Sequence, residues 1–148
     1  MYRNILIATD GSELANKAVE HGLKLAKITG AGVTFVTVTE MWSALAMADE
    51  AGAGISNPLQ DYEEMAANSA KKILAGATAS AKASGIESQT VHVRDSPPAE
   101  GIAETAKEKN CDLIVMASHG RRGLRRLVLG SQTTEVLAIT KVPVLVVR

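Results

Sequence analysis

One run of apolar residues limits the folds that are open to this chain. Leu113–Ala117 reads Leu-Ile-Val-Met-Ala, without a polar side chain. A strand that is buried on both faces needs such a continuous run, and strands of this kind occur almost only in parallel sheets that helices cover. The run therefore predicts a central strand of an α/β fold.

Strand patterns and helix patterns alternate along the rest of the chain. The predicted strands are residues 5–8, 33–38, 86–93, 112–117 and 142–147. Helical spacing separates each strand from the next, which predicts a Rossmann-like, doubly wound sheet of five parallel strands with helices on both faces. The polar residues of the third strand suggest an outer position in the sheet. A length of 148 residues predicts a single domain, residues 1–148.

Caps and apolar spacing predict the helices and their inward faces. The first helix has an N-cap at Ser12 and a stop at Gly30, and its predicted inward residues are Leu14, Ala18, His21, Leu25 and Ile28, with His21 as a core histidine. The second starts at Asn57 and Pro58 and stops at Gly85, and its predicted inward residues are Leu59, Tyr62, Ala66, Ser69, Ile73, Ala77 and Ala81. A third opens after Pro97 and Pro98. The last covers residues 131–140 with Val136 and Ile139 inward.

Charge and cysteine content exclude several classes of protein. Sixteen Lys and Arg residues balance sixteen Asp and Glu residues, so no global field recruits nucleic acid or a membrane. The single Cys111 excludes an internal disulfide and is predicted as a small strand residue. The sequence shows no signal peptide and no apolar run of bilayer length, so we expect a cytoplasmic protein. The connection at residues 41–56 has no clean period, and the sequence does not decide between a functional lid and a mobile loop.

The predicted strand at residues 112–117 leads into a loop with features of an anion site. Gly120 follows the strand, and Gly130 and Ser131 open the last helix. A helix start offers unpaired backbone N–H groups and the positive end of the helix dipole to a phosphate. Glycine carries no side chain that would keep a ligand away from the backbone. The pattern predicts a strand-loop-helix anion site.

This pattern resembles the nucleotide loop of the universal stress protein family. The resemblance rests on Gly120, nine further residues, and Gly130 with Ser131, after a strand that ends at Ser118 and His119. It extends from residues 5–12 to residues 142–147. The resemblance implies the strand order 3-2-1-4-5, an adenine nucleotide (ATP, ADP or AMP) with Mg²⁺ as an optional companion, and a homodimer.

One residue departs from the family pattern. ATP-binding members typically carry a further glycine where this chain has Ala117. A methyl group is tolerated there if φ is negative and costs about 1–2 kcal/mol if φ is positive.

The implied strand order defines a crevice between strands one and four, because ligands bind where the order reverses. Thr9 and Asp10 bound it on one side, and Ala117 and Ser118 bound it on the other. Asp10 is expected to meet ribose or a hydrated cation, although it could instead cap the first helix. The backbone of Val38 is expected to meet the adenine edge, while its side chain could belong to the core.

The complete predicted cofactor-binding set is Thr9, Asp10, Val38, Ala117, His119, Gly120, Arg121, Arg122, Gly123, Gly130, Ser131 and Gln132. Four arginines lie within residues 121–126, which suggests a ligand or an acidic partner surface, with a solvated loop as the alternative. Arg121 or Arg122 would bind the outer phosphate. His119 could touch ribose or phosphate, or serve the loop alone. The sequence predicts no catalytic residue and no metal ligand set.

The sequence favours nucleotide binding over rapid chemistry. It has no P-loop, dinucleotide fingerprint or nucleophile elbow. No general base is evident near the loop, so any hydrolysis of ATP would be slow. The leading hypothesis is a stress-response sensor or regulator, and the alternatives are a dimeric interaction module without a working pocket and a slow ATPase. The fifth strand begins at Val142 and ends at Val147, and as an apolar sheet edge it is the expected homodimer contact.

Overall fold

The structure, a computed structural model, describes residues 1–40, 58–121 and 129–148. Strands and helices alternate, as predicted. The elements are β1 (Asn4–Ala8), α1 (Glu13–Thr29), β2 (Gly32–Thr39), α2 (Pro58–Ala83), β3 (Ser88–Arg94), α3 (Pro98–Glu108), β4 (Leu113–Ala117), α4 (Ser131–Ile139) and β5 (Val144–Val147). The predictions for residues 41–56 and for Asn57 lie outside the described residues.

The five strands form one parallel sheet in the order β3-β2-β1-β4-β5. This confirms the predicted order, including the outer position of β3. β1 and β4 lie side by side although they are far apart in the sequence, with Ile5 opposite Leu113 and Ile7 opposite Val115. The order reverses between these two strands.

Two hydrophobic cores, one on each face of the sheet, explain the continuous apolar strands. Ile5 and Ile7 belong to the core that α1 and α2 cover, and Leu6 belongs to the core beneath α3 and α4. Side chains alternate between the faces of a strand, so each of these three residues is fully buried. Burial of each such side chain stabilises the fold by about 1.5–3 kcal/mol.

Both predicted caps of α1 are confirmed. The Ser12 side chain accepts a hydrogen bond from the Ala15 backbone N–H at 3.2 Å. Gly30 ends the helix with φ 71°, a left-handed conformation in which glycine pays no steric cost.

The predicted inward face of α1 is confirmed at Ala18 and in part at Leu14 and Leu25, which pack against the core, but it is wrong at the other two positions. His21 is exposed and Ile28 is 83% exposed, and the buried residues are Ala15, Ala18, Val19, Gly22, Leu23 and Ala26. Small residues let the helix backbone approach the sheet, which a pattern of large apolar residues does not reveal. A Cβ on Gly22 would lie 2.5 Å from Ile7 Cδ1.

The inward faces of α2 and α4 also differ in part from the prediction. Leu59 is 41% exposed and Ser69 is exposed, because α2 packs through Ala70, Leu74, Ala77 and Ala81. In α4, Val136 is fully buried as predicted, but Ile139 is 48% exposed. The inward position one turn before Val136 is the polar Thr133, whose hydroxyl bonds to backbone carbonyls at the end of β4.

Cys111 precedes β4 instead of lying in it, which corrects the prediction of a strand residue. Its backbone N–H donates to the Ala106 carbonyl at 2.8 Å, so the residue closes the end of α3. The thiol is buried, and this burial raises the pKa of Cys111 to about 11. A thiol in this state is largely protonated and weakly nucleophilic at neutral pH.

Both edge strands start later than the sequence predicts. β3 begins at Ser88 and β5 at Val144. Pro143 still contributes to the sheet, because its carbonyl accepts a hydrogen bond from the Ile114 N–H at 2.9 Å. Within the described ranges, every helix is too short or too polar to span a bilayer.

Candidate functional site

The reversal of strand order opens a crevice at the carboxyl ends of β1 and β4. After β1 the chain turns into α1 on one face, and α4 packs on the opposite face. Thr9 and Ser118 are the first residues beyond the two strands, and both are buried. Ligands of doubly wound sheets bind at such a point.

Asp10 connects the two sides of this crevice. One carboxylate oxygen accepts a hydrogen bond from the Ser12 N–H at 2.9 Å, and the other accepts one from the Arg121 N–H at 3.0 Å. Ser12 supplies the side-chain cap of α1, so Asp10 does not duplicate that role. The carboxylate instead holds the loop after β4 against the turn after β1.

Gly120 allows this close approach. A Cβ on Gly120 would lie 2.7 Å from Asp10 Oδ2, which is too close for a methyl group. The Arg121 guanidinium lies over the β1–α1 turn, where its Nη2 would be 3.2 Å from a Cβ on Gly11. A cationic group therefore stands at the mouth of the crevice.

Two contacts fix the start of α4 to the end of β4. The Gly130 N–H donates to the Ser118 carbonyl at 2.7 Å. The Thr133 hydroxyl lies 3.0 Å from the carbonyl oxygens of both Ala117 and Ser118. Thr133 is 1% exposed, so these bonds are shielded from water and hold the helix start rigidly.

Three backbone amides at the start of α4 have no acceptor among the described residues. The first bond of the helix runs from the Thr134 N–H to the Gly130 carbonyl at 3.0 Å, and Gly130 provides no side-chain cap. The N–H groups of Ser131, Gln132 and Thr133 precede this bond. They form the positive end of the helix dipole, where an anion is favoured.

The other predicted residues of this region have mixed surroundings. Gln132 accepts a hydrogen bond from the Ala99 N–H through Oε1 at 3.2 Å, so its side chain serves the start of α3. His119 is half-buried, with Nδ1 3.1 Å from the Ser118 hydroxyl. Ser131 is exposed. Arg122 and Gly123 lie outside the described residues.

Ala117 causes no backbone strain. It is part of β4, opposite Val147, and is 8% exposed. Among the described residues other than glycine, only Asp95 and Asn110 have positive φ. The methyl group of Ala117 packs in the core on the α1 face, so the penalty for positive φ does not apply.

The backbone bonds at Thr9 and Val36 fix the direction in which Val38 faces, and the Thr9 hydroxyl also accepts a hydrogen bond from the Gly11 N–H at 3.2 Å. The Thr9 N–H donates to the Val36 carbonyl at 3.0 Å, which shows that Val36 faces β1. Backbone groups alternate along a strand, so the N–H and carbonyl of Val38 face the same side, beyond the end of β1. The Val38 side chain packs against α3, where a Cβ on Gly101 would lie 3.0 Å from Val38 Cγ2.

The sequence reasoning missed Thr133 as a residue of the site. Its hydroxyl orders the helix start, yet a threonine in the first turn of a helix is common and gives no specific signal. Its spacing of three from Val136 indicates an inward position, and this was the available clue. Among the described residues, no group of three His, Cys, Asp or Glu side chains converges on a metal position.

Comparisons of the sequence with known proteins agree on one family. A sequence model of the universal stress protein family matches residues 1–148. "Universal stress protein MJ0531" of Methanocaldococcus jannaschii is 32% identical over 149 residues, which cover 100% of this chain and 83% of the relative. "Universal stress protein YxiE" of Bacillus subtilis is 31% identical over 152 residues and is covered completely, as is this chain.

Solved structures share the fold. The structure of protein MJ0577 of Methanocaldococcus jannaschii superposes with a TM-score of 0.84 at 26% identity, over 99% of this chain and 96% of that chain. A universal stress protein in complex with cAMP has a TM-score of 0.68 at 23% identity, over 99% of this chain and 97% of that chain. One from Archaeoglobus fulgidus in complex with dAMP has a TM-score of 0.60 at 19% identity, over 99% of this chain and 98% of that chain.

Proposed function

Since this chain belongs to the universal stress protein family, we propose that it binds an adenine nucleotide in the crevice between β1 and β4 and acts as a sensor or regulator in the response to stress. The observation that carries this proposal is the set of three backbone amides at the start of α4 without an acceptor among the described residues. Two proteins of the same fold hold cAMP and dAMP, which supports the choice of an adenine nucleotide.

Different residues of the site would contact the phosphates, the ribose and the adenine of the nucleotide. The phosphates would meet the α4 amides and the exposed hydroxyl of Ser131, with the Arg121 guanidinium beside them. The ribose would lie near Asp10, and the adenine edge would meet the open backbone of Val38. Roles for Arg122 and Gly123 at the outer phosphate stay predictions.

Asp10 also fits a Mg²⁺ ion that arrives with the phosphates. Each of its oxygens accepts one backbone N–H, and a carboxylate oxygen has a further lone pair to offer. Mg²⁺ is usually held by one or two carboxylates together with phosphate oxygens and waters.

The proposal includes a cytoplasmic homodimer. β5 is an edge strand of the described sheet, and its Leu145 is 38% exposed. Two large apolar side chains of α4, the helix that precedes β5 in the chain, are also exposed, namely Leu137 at 44% and Ile139 at 48%. An apolar edge of this kind favours pairing with a second copy.

The test exploits Ser131, the first residue of α4. Proline is tolerated at a first helical position, and Gly130 has φ −71° and ψ 162°, a conformation that suits the residue before proline. Ser131→Pro removes one amide and the hydroxyl, while Ser131→Ala removes the hydroxyl alone. We expect Ser131→Pro to weaken ATP binding by about tenfold or more and Ser131→Ala to weaken it less.

Titration calorimetry and thermal shift with ATP, ADP, AMP and cAMP measure these affinities. The unaltered protein should bind at least one of them saturably, at micromolar to submillimolar concentration. The absence of both a binding heat and thermal stabilisation at millimolar ATP would contradict the proposal. Equal affinities of the two Ser131 variants would show that the α4 amides are not the phosphate site.

The two alternatives have less support. An interaction module without a working pocket depended on Ala117, whose backbone is that of an unstrained strand residue. The interaction-module hypothesis would gain support if a protein partner bound equally well with and without nucleotide. Slow hydrolysis of ATP predicts a phosphate release that Asp10→Ala abolishes.

A further inference from the structure

A second surface lies at the opposite edge of the sheet from β5. Helix α2 and strand β3 enclose an open groove of about 670 Å³. Its lining on the α2 side includes the apolar residues Ala67, Leu74 and Ala75, while Thr90, His92 and Arg94 line the side that β3 provides. None of these residues belongs to the crevice between β1 and β4.

The charge of this groove is one-sided. Lys71, Lys82 and Arg94 line it, and the lining contains no Asp or Glu. All three cations are exposed. On a chain of zero net formal charge, this arrangement is a local cationic surface that favours an anionic occupant.

The backbone of β3 offers hydrogen bonds along the same groove. Among the described strands, β3 pairs with β2 alone, with Thr37 opposite His92. The Thr39 carbonyl accepts the Ser96 N–H, so Thr37 and Thr39 face β3. In a parallel pair, a facing residue bonds to the two neighbours of its opposite residue. The backbone groups of Val91 and Val93 therefore face β2.

It follows that the N–H and carbonyl groups of Thr90, His92 and Arg94 face outward. None of them has a partner among the described residues. Such an edge is a template for a further strand, in which main-chain bonds give affinity and side-chain contacts give specificity.

The spacing of the two lysines fits an extended chain. Lys71 and Lys82 are eleven residues apart on α2, which is about three helical turns, so they lie on one face about 16 Å apart. A strand of about five residues covers the same distance. Carboxylates near the two ends of such a segment would meet the two lysines.

We propose that the edge of β3 accepts an acidic, extended segment of another protein as a sixth strand, with its carboxylates on the cationic side of the α2 groove. A peptide fits these features better than a nucleic acid strand. The edge offers alternating donors and acceptors to a main chain, and the groove lining contains no Phe, Tyr or Trp on which bases would stack.

The test uses synthetic heptapeptides in fluorescence anisotropy, without nucleotide. One peptide alternates Glu with Val, a second alternates Lys with Val, and the third probe is a single-stranded DNA oligomer. We expect saturable binding of the Glu peptide that weakens with salt, and at least about tenfold weaker binding of the Lys peptide. Preferential binding of DNA, or equal binding of both peptides, would overturn the proposal.

Charge reversal and edge blocking locate the site. The double variant Lys71→Glu with Lys82→Glu should bind the Glu peptide about tenfold or more weakly. The matched control is the double variant Lys17→Glu with Lys24→Glu, at exposed positions of α1. It should keep its affinity for the peptide apart from a small loss that comes from the changed net charge. Thr90→Pro removes an outward N–H, which leaves the bonds to β2 intact, and it should abolish binding without unfolding the protein.

Amide hydrogen exchange provides the last readout. Saturation with the Glu peptide should slow exchange at Thr90, His92 and Arg94. Equal weakening by both lysine pairs, full binding by Thr90→Pro, or protection confined to another part of the protein would each overturn the proposal. ATP affinity is measured separately, so the result stands apart from that of the nucleotide site.

Discussion

Two glycines in helices have opposite surroundings, and they test how closely α1 packs on the sheet. A Cβ on Gly22 would lie 2.5 Å from Cδ1 and 2.9 Å from Cγ1 of Ile7, a fully buried residue, whereas a Cβ on Gly76 of α2 would meet nothing within 4 Å. Gly76→Ala should stabilise the protein by about 0.5–1 kcal/mol through helix propensity. Gly22→Ala gains the same propensity but overpacks the core, at a cost of about 1–3 kcal/mol.

Urea unfolding of the two alanine variants measures this contrast. We expect the free energy of unfolding of Gly22→Ala to lie about 2 kcal/mol below that of Gly76→Ala. Equal stabilisation by both substitutions would mean that α1 and β1 are not in close contact at Gly22.

At the scale of the element, His92 joins β3 to β2 and makes this contact sensitive to pH. Its Nε2 lies 2.7 Å from the Thr39 hydroxyl. Burial, and secondly the charge of Arg94, lower the pKa of His92 from its ordinary value. The unfolded chain therefore binds a proton more readily than the folded protein, so the contribution of neutral His92 to stability is complete above about pH 6.5 and is lost as the pH falls from there through the lower pKa of the folded state.

A urea series from about pH 8 to about pH 5 tests this dependence. We expect His92→Gln to lose less stability on acidification than the unaltered protein. His21→Gln, at an exposed position of α1, is the matched control and should keep the original slope. An identical slope in all three proteins would contradict the expectation.

The elements themselves follow from local patterns, but their faces do so only in part. Continuous apolar runs located β1 and β4, and Ser12 and Gly30 located the ends of α1, whereas the starts of β3 and β5 were predicted too early. The inward face of α1 differs from the prediction at His21 and Ile28, because small residues pack against the sheet there. Gly22 and its neighbouring alanines pack against β1, and a hydrophobicity pattern does not register a close approach of backbones.

The geometry of the candidate site was predictable where it depends on neighbouring residues. Gly120, Gly130 and Ser131 carry a loop and a helix start that depend on neighbouring residues. The bond between Asp10 and the Arg121 N–H joins residues 111 positions apart, and the bonds of Thr133 to the end of β4 depend on how α4 docks. No single-sequence pattern encodes such long-range geometry.

At the scale of the whole molecule, the β5 edge predicts the oligomeric state. Leu145 is 38% exposed on this strand, so Leu145→Lys places a charge in the proposed dimer contact. We expect a dimer for the unaltered protein, and a dissociation constant at least about tenfold higher for the variant. Analytical ultracentrifugation across a concentration series provides the measurement.

Met65→Lys is the control, since Met65 is 69% exposed on α2 and lies away from β5. It should dimerise like the unaltered protein. A monomer at every concentration, or a dimer that both substitutions leave intact, would contradict a β5 contact.

The neighbouring positions of β1 and β4 bring an early and a late part of the polypeptide to one place. A small molecule bound between Asp10 and the first turn of α4 would contact both parts at once, and local unfolding of either part would release it. The fraction of protein with bound ligand would therefore depend on whether both parts are folded. A high ligand concentration in the cell would keep the protein folded under conditions that unfold the ligand-free form.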